Sequence, residues 1–198
     1  MDGDYFQFQV NSDGKPNHHL FDSIKTEAIM SKLRCSNCDK DAKVVRGSYP
    51  FKESGLNVVL QGIELVRCKN CGNEDPIIPR VGDLMRTIAI AVIMKPYQLR
   101  GEDVRFLRKY LRMTGAEFAR LMDVDKTTLS KWENNDDVVG SQSDRLIRLT
   151  VLGLGEGLRE KLDEVIRTVF PHIRRTGAKT APKVGIEIDP QKLTHQYI

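Results

Sequence analysis

The chain has 198 residues, 40% of them apolar and 29% charged, with a formal net charge of +4. That balance excludes collagen-like and disordered classes and fits a soluble globular protein of one to two domains. The longest apolar run, "IAIAVIM" at 88–94, is much too short to span a bilayer. The acidic start "MDGDYFQFQVNSDG" lacks the hydrophobic stretch of a signal peptide. The expected location is therefore cytoplasmic, with no membrane partner.

The charge is unevenly spread. Residues 80–112 hold eight Lys/Arg against Asp83, Glu102 and Asp103, whereas residues 113–153 hold five basic against seven acidic residues. Any nucleic-acid surface in the second stretch must be local and cannot be a blanket of positive charge.

Residues 1–34 read as an N-terminal extension. His18 and His19 fall within it and are expected to be surface residues of a mobile arm. After it come the four cysteines, in two identical pairs: Cys35-Ser-Asn-Cys38 and Cys68-Lys-Asn-Cys71. A Cys-x-x-Cys turn places two thiolates on one side of a tight loop. Two such loops complete a tetrahedral S4 shell with Zn–S of about 2.3 Å, the arrangement of structural zinc. Asn37, Asn70 and Gly72 suit knuckles that need positive φ and amides pointing at sulfur. Lys40, Lys43, Arg67 and Lys69 would offset part of the thiolate charge.

Between the pairs, "KVVRGSYPF" (43–51) and "LNVVLQGIELVRC" (56–68) are rich in β-branched residues and are joined by the turn signal Glu53-Ser54-Gly55. Knuckle, hairpin, knuckle is the organisation of a zinc ribbon, spanning 35–79. Disulfides are disfavoured in a cytosolic chain, and no βαβ context supports a redox pair. The expectation is one Zn²⁺ per chain, held by Cys35, Cys38, Cys68 and Cys71. With four thiolates the shell is closed, so the metal is structural.

Residues 80–98 read as a helical connector, because "VGDLMRTIAIAVIMK" is long and stops at Pro96. Val81, Leu84, Met85, Ile88 and Val92 would line its apolar side and need a partner surface. Residues 99–171 then show regular helical patterning. Val104, Leu107 and Leu111 form one stripe, and Arg105, Arg108, Lys109 and Arg112 form another. Thr114-Gly-Ala-Glu117 is a capping box opening a second helix, with Phe118, Leu121 and Met122 inward. Asp123 closes that helix and Asp125 caps a third, which ends at Asn134-Asn135. Ser141-Gln-Ser-Asp144 reads as a further capping box.

Two short helices joined by a tight turn and bracketed by longer ones form a helix-turn-helix domain. Its second helix, "KTTLSKWE", would turn Leu129 and Trp132 inward and offer Lys126, Thr127, Thr128, Ser130 and Lys131 to the major groove of double-stranded DNA. Arg112 is a candidate phosphate contact. These lysines are read as DNA contacts, not ordinary solvated side chains, because capping, turn length and polar-face composition agree. The stripe Leu158, Leu162, Val165, Ile166 and Val169 fits either packing on its own bundle or a homodimer interface. Residues 172–198 read as a largely mobile tail with one strand-like stretch, Val184 to Ile188. The chain carries no Ser/His/Asp set, no phosphate-binding glycine loop and no open metal site, so the expectation is that it is not an enzyme.

Residues 35–152 resemble the MqsA-type antitoxins, which join a YgiT-type zinc ribbon to an Xre-type, lambda-repressor-like helix-turn-helix domain. The resemblance rests on "CSNC…YPFKESGLNVVLQGIELVRCKNCG" followed by "FLRKYLRMTGAEFARLMDVDKTTLSKWENN". It implies an α+β fold, structural zinc in the first half, and operator binding by a dimeric transcriptional repressor through the second. Thr127 and Lys131 fall on the family's base-reading positions. In antitoxin members the zinc half also neutralises a ribonuclease toxin, so the resemblance implies a protein toxin partner as the alternative role. Gly115 stands where the Xre pattern often has glutamine, and Asp123 and Asn135 stand where it usually has glycine.

Overall fold

The computed structural model describes residues 33–174 and 183–198. The N-terminal extension up to residue 32, with His18 and His19, and residues 175–182 lie outside the described residues. The fold is α+β, with a five-stranded sheet and six helices among the described residues. The chain divides into two compact units, one holding the described residues up to Lys43 with Val66–Glu74, the other holding Val44–Leu65 and everything from Asp75 onward.

Strand β1 (Ala42–Pro50) and strand β2 (Val58–Cys68) are sheet neighbours, and β3 (Glu74–Ile77) pairs with β2 as well. The turn between β1 and β2 depends on Gly55, whose φ of 72° is left-handed. Along β2 the buried positions run Val58, Leu60, then Ile63, Leu65, so the alternation slips by one residue at Gln61-Gly62. Gly62 has φ 66°, as an inserted bulge residue requires.

The other edge of the sheet comes from the far end of the sequence. β4 (Ile186–Asp189) lies parallel to β2 in the register Val58↔Ile186 and Leu60↔Ile188, and β5 (Thr194–Tyr197) pairs antiparallel with β4. Residues 183–198 are therefore an integral layer of the fold and not a mobile tail. The strand-like stretch Val184 to Ile188 corresponds to β4, because Ile186 and Ile188 are fully buried. β5 has no apolar run to announce it; it is held by pairing and by Tyr197, whose hydroxyl donates to the Ala91 carbonyl at 2.7 Å.

Helix α1 (Val81–Met94) carries Leu84, Ile88, Ala89, Ala91, Val92 and Ile93 into the core, packing on β4, β5 and the next helix. Its first residue departs from the expected stripe: Val81 is exposed. Four more helices follow: α2 (Gly101–Tyr110), α3 (Gly115–Leu121), α4 (Lys126–Glu133) and α5 (Ser141–Leu154). The capping box at Thr114 and Glu117 forms as its residue types demand, with Glu117 N–H donating to Thr114 Oγ1 and Thr114 N–H donating to Glu117 Oε2.

Ser141-Gln-Ser-Asp144 does not form the expected box. Gly140 occupies the N-cap of α5 with no side-chain cap bond, and Asp144 is drawn inward instead. It accepts from Leu99 N–H and from Arg148, which is fully buried. The Arg148 guanidinium also donates to the carbonyls of Ile93, Lys95 and Tyr97. One arginine thus satisfies carbonyls on both sides of Pro96, where α1 has ended. Lys95 and Asp103 form a second buried pair at 2.5 Å.

Beyond α5 the chain winds through a tight turn at Arg159–Lys161, helix α6 (Leu162–Glu164), a wide turn at Val165–Val169 and a last tight turn at Phe170–His172. Leu158, Val165 and Val169 are buried in the chain's own core, while Ile166 is 45% exposed. Most of the stripe is spent within the chain, which favours the first of its two readings, packing on its own bundle; Ile166 stays outside that core.

Candidate metal centre and polar helix face

The two Cys-x-x-Cys loops are built alike. Cys35 N–H donates to Lys40 O and Asp39 N–H donates to Cys35 O; Cys68 N–H donates to Asn73 O and Gly72 N–H donates to Cys68 O. The left-handed residues are Asp39 (φ 53°) and Gly72 (φ 73°), each just past the second cysteine of its pair. Asn37 and Asn70 act through their amides instead: each Nδ2 reaches 3.7 Å from a sulfur of the opposite pair, Cys71 and Cys38 respectively.

All four Sγ atoms lie within 4.8 Å of one another. The Cys35–Cys71 and Cys38–Cys68 separations are both 3.6 Å. A tetrahedron with metal–sulfur bonds of about 2.3 Å has edges of about 3.8 Å, so the four sulfurs fit around one ion. All four cysteines are free of disulfides. The cluster polarises its own thiols. The Asn73 N–H and the Cys38 thiol bring Cys71 down to about 6. For Cys38, the Lys40 N–H works downward but burial and the Cys71 and Cys68 thiols prevail, pushing it up to about 11. Of the expected counter-charges, Arg67 is engaged by Glu74 at 2.5 Å, and Lys40, Lys43 and Lys69 are exposed.

In the helical unit, Leu129 and Trp132 are buried and fix one side of α4. Lys126, Thr127, Ser130 and Lys131 are exposed on its other side, and Thr128 is half-buried. Asp125 sits at the N-cap as expected, but its side chain makes no cap bond. Arg112 follows α2 with φ 57° and is exposed. Neither Arg112 nor Lys126 nor Lys131 forms an ion pair among the described residues, so three cations stand free.

The stripe Arg105, Arg108, Lys109 divides differently from what its periodicity suggests. Arg108 grips both carboxylate oxygens of Glu133, at 2.6 and 3.0 Å, and Arg105 donates to Glu133 O and Asn134 Oδ1. Lys109, like Arg112 at the end of the stripe, stays uncommitted among the described residues. These contacts fasten α2 to the last turn of α4; the Glu133 and Asn135 roles were not visible in the sequence, since no local pattern marks an acceptor 25 residues from its arginine. A cavity of about 500 Å³ beside this junction is lined by Lys95, Arg100, Glu102, Asp103 and Asn135. Of its charges, Lys95 is paired with Asp103 and Arg100 with Glu102, whereas Lys183, which also lines it, forms no ion pair among the described residues.

No family model matches the chain, and no curated protein and no solved structure matches it significantly. The sulfur cluster and the polar face of α4 carry the functional reading by themselves. No helix among the described residues is long and apolar enough to cross a membrane.

Proposed function

We propose that the protein is a sequence-specific DNA-binding transcriptional regulator whose cysteine cluster holds one structural Zn²⁺. The observation that carries the reading is α4: anchored by Leu129 and Trp132 on one side, it presents Lys126, Thr127, Ser130 and Lys131 to solvent on the other. In this reading α3 and α4, joined by Met122–Asp125 with Asp123 at φ 52°, are the helix-turn-helix. A short helix held by its back suits a major groove when its outward face offers cations and small hydroxyls, which match phosphates and base-edge acceptors. The outward face of α4 meets that condition up to Glu133, which is turned toward Arg108. Lys131 and Thr127 would contact base edges, while Arg112 would contact phosphate.

The metal assignment follows from donor chemistry. Four sulfurs without nitrogen or oxygen ligands select a soft, tetrahedral ion, and Zn²⁺ suits that set. Cys35, Cys38, Cys68 and Cys71 would fill its shell, leaving no position to activate water, so the ion holds the loops together and takes no part in a reaction. In this reading the zinc ribbon spans residues 35–79, with one cysteine loop before β1 and the other at the end of β2.

Selection of duplexes from a random pool by the purified, metal-replete chain tests the reading. Enrichment of one sequence, bound at least ~10³-fold more tightly than random DNA, supports it. A pool that stays random after repeated rounds ends it. Two half-sites about 34 Å apart, centre to centre, would show that two chains act together on the operator.

A further inference from the structure

The end of α4 that would face away from DNA is clasped to the start of α2 by one side chain. Asn135, with φ 59°, stands just past α4. Its Oδ1 accepts from Gly101 N–H at 2.8 Å and its Nδ2 donates to Glu102 Oε2 at 2.9 Å. Only an amide supplies an acceptor and a donor side by side, so the backbone N–H and the carboxylate together fix which way it points. Burial pushes the Glu102 carboxyl up, yet the Asn135 amide and Arg100 more than reverse that and hold it below its ordinary value.

Gly101 completes the junction. A Cβ there would meet Trp132 O at 2.2 Å and Glu133 O at 2.7 Å, so no other residue allows α2 and α4 to approach so closely. A glycine at 135 would supply the left-handed turn equally well but could make neither bond.

We propose that Asn135 is a positioning residue that sets the angle of α4 against α2, and through it the reach of Thr127 and Lys131 into DNA. The proposal rests on the DNA-binding reading above. At about 1.5 Å per residue an eight-residue helix is about 12 Å long, so a tilt of about 5° at its clasped end moves its free end by about 1 Å. Recognition tolerates only about 0.5 Å of such error. Buried contacts at Leu129 and Trp132, with the Arg108–Glu133 pair, keep the helix on the domain, and the Asn135 clasp at the start of α2 sets its aim.

Asn135→Gly separates the two functions of the residue, because the backbone conformation is kept and only the side-chain bonds go. Binding is measured on the selected duplex and on random duplex across a salt series, with amide exchange at Gly101 read in parallel. The expected result is faster exchange at Gly101 and a roughly ten-fold loss of preference for the selected duplex. Affinity for random DNA and its salt slope should stay at the wild-type level, because phosphate contacts are untouched. Glu102→Ala should lower preference in the same way, and adding it to Asn135→Gly should lower it by less than the product of the two losses. Unchanged preference, equal losses on both duplexes, or losses that simply multiply overturn the proposal. A wild-type chain that prefers no duplex refutes the DNA reading itself, and that result appears before any variant is made.

Discussion

The two units solve the problem of holding a chain together in opposite ways. In the sulfur unit, only Cys35 and Cys68 are buried among the described residues up to Lys43 and Val66–Glu74. The helical unit buries a continuous apolar core running from Phe51 to Ile188. Burial of apolar area at about 25 cal/mol per Å² can stabilise the second but has almost nothing to act on in the first. A small knot of polar loops needs a cross-link that does not depend on area, and four sulfurs placed to surround one ion could supply it. The lesson concerns where polar residues can be placed. In the helical unit the core is secure enough that α4 can leave lysines and hydroxyls uncommitted.

The sharpest way to break the contrast is Cys68→Ser. It should reduce bound metal to near zero and unfold the sulfur unit, since structural Zn²⁺ contributes on the order of 10–16 kcal/mol to folding in small zinc domains. The helical signal in circular dichroism should persist. Metal analysis with far-ultraviolet spectra checks both, and simultaneous collapse of the two units would show that they are not separately stabilised.

Next in size is Asp144→Ala, within the helical unit. It strips Arg148, which is fully buried, of its carboxylate and Leu99 N–H of its acceptor. Removing one partner of a buried pair costs about 3–5 kcal/mol, and chemical denaturation should show it. A loss below about 1 kcal/mol would mean that the three carbonyls around Arg148 suffice.

Lys131→Ala sharpens the comparison on the surface. It should cost about 1–3 kcal/mol in binding to the selected duplex and relax the preference at one base position. Arg112→Ala should weaken all duplexes alike and lower the salt slope by about one. If the two variants behave identically, Lys131 is a phosphate contact and base reading falls to Thr127.

The smallest expected effect is on pH. Burial first, and the charge of Lys161 second, lower the pKa of His195 below its ordinary value. A depressed group gives stability that is fully present above the unfolded value of about 6.5 and is lost as pH falls through the folded one. The helical unit should therefore lose stability below about pH 6.5. His195→Gln should flatten that part of the pH profile, and an unaltered profile would assign the loss to other groups.

What could be read in advance was whatever the sequence expresses locally. Cys-x-x-Cys spacing, the Thr114 capping box, the Leu129/Trp132 side of α4 and the left-handed turn at Asn135 all involve residues within a few positions of one another. The misreadings, and the one reading left open, share a different cause. Ser141-Gln-Ser-Asp144 has the letters of a cap, but Asp144 gains more from Arg148 and Leu99 N–H, a partner 45 residues away. The stripe at 158–169 is real, yet whether it faces its own core or another chain is decided by what α1 and α5 leave uncovered. β5 is only four residues long, with His195 and Gln196 at its centre, too short and polar to read as a strand, and exists because β4 lies beside it. Of the sulfur cluster, the four cysteines that gather were legible and the division of labour between Asn37, Asp39 and Gly72 was not.

The parallel pairing of β2 with β4 also has a consequence for how the chain is made. Gln61 and Glu187, neighbours across that pairing, are 126 residues apart in sequence. During translation the helices from Val81 to His172 leave the ribosome before β4 exists. For that interval the nascent β2, with Val58 and Leu60 uncovered, presents an open strand edge of the kind that recruits other chains. Contacts of such long sequence separation also slow the final closure of the sheet. The helices can settle while the sheet waits, so a chain interrupted before residue 186 should be helical, incomplete and prone to associate with its own copies.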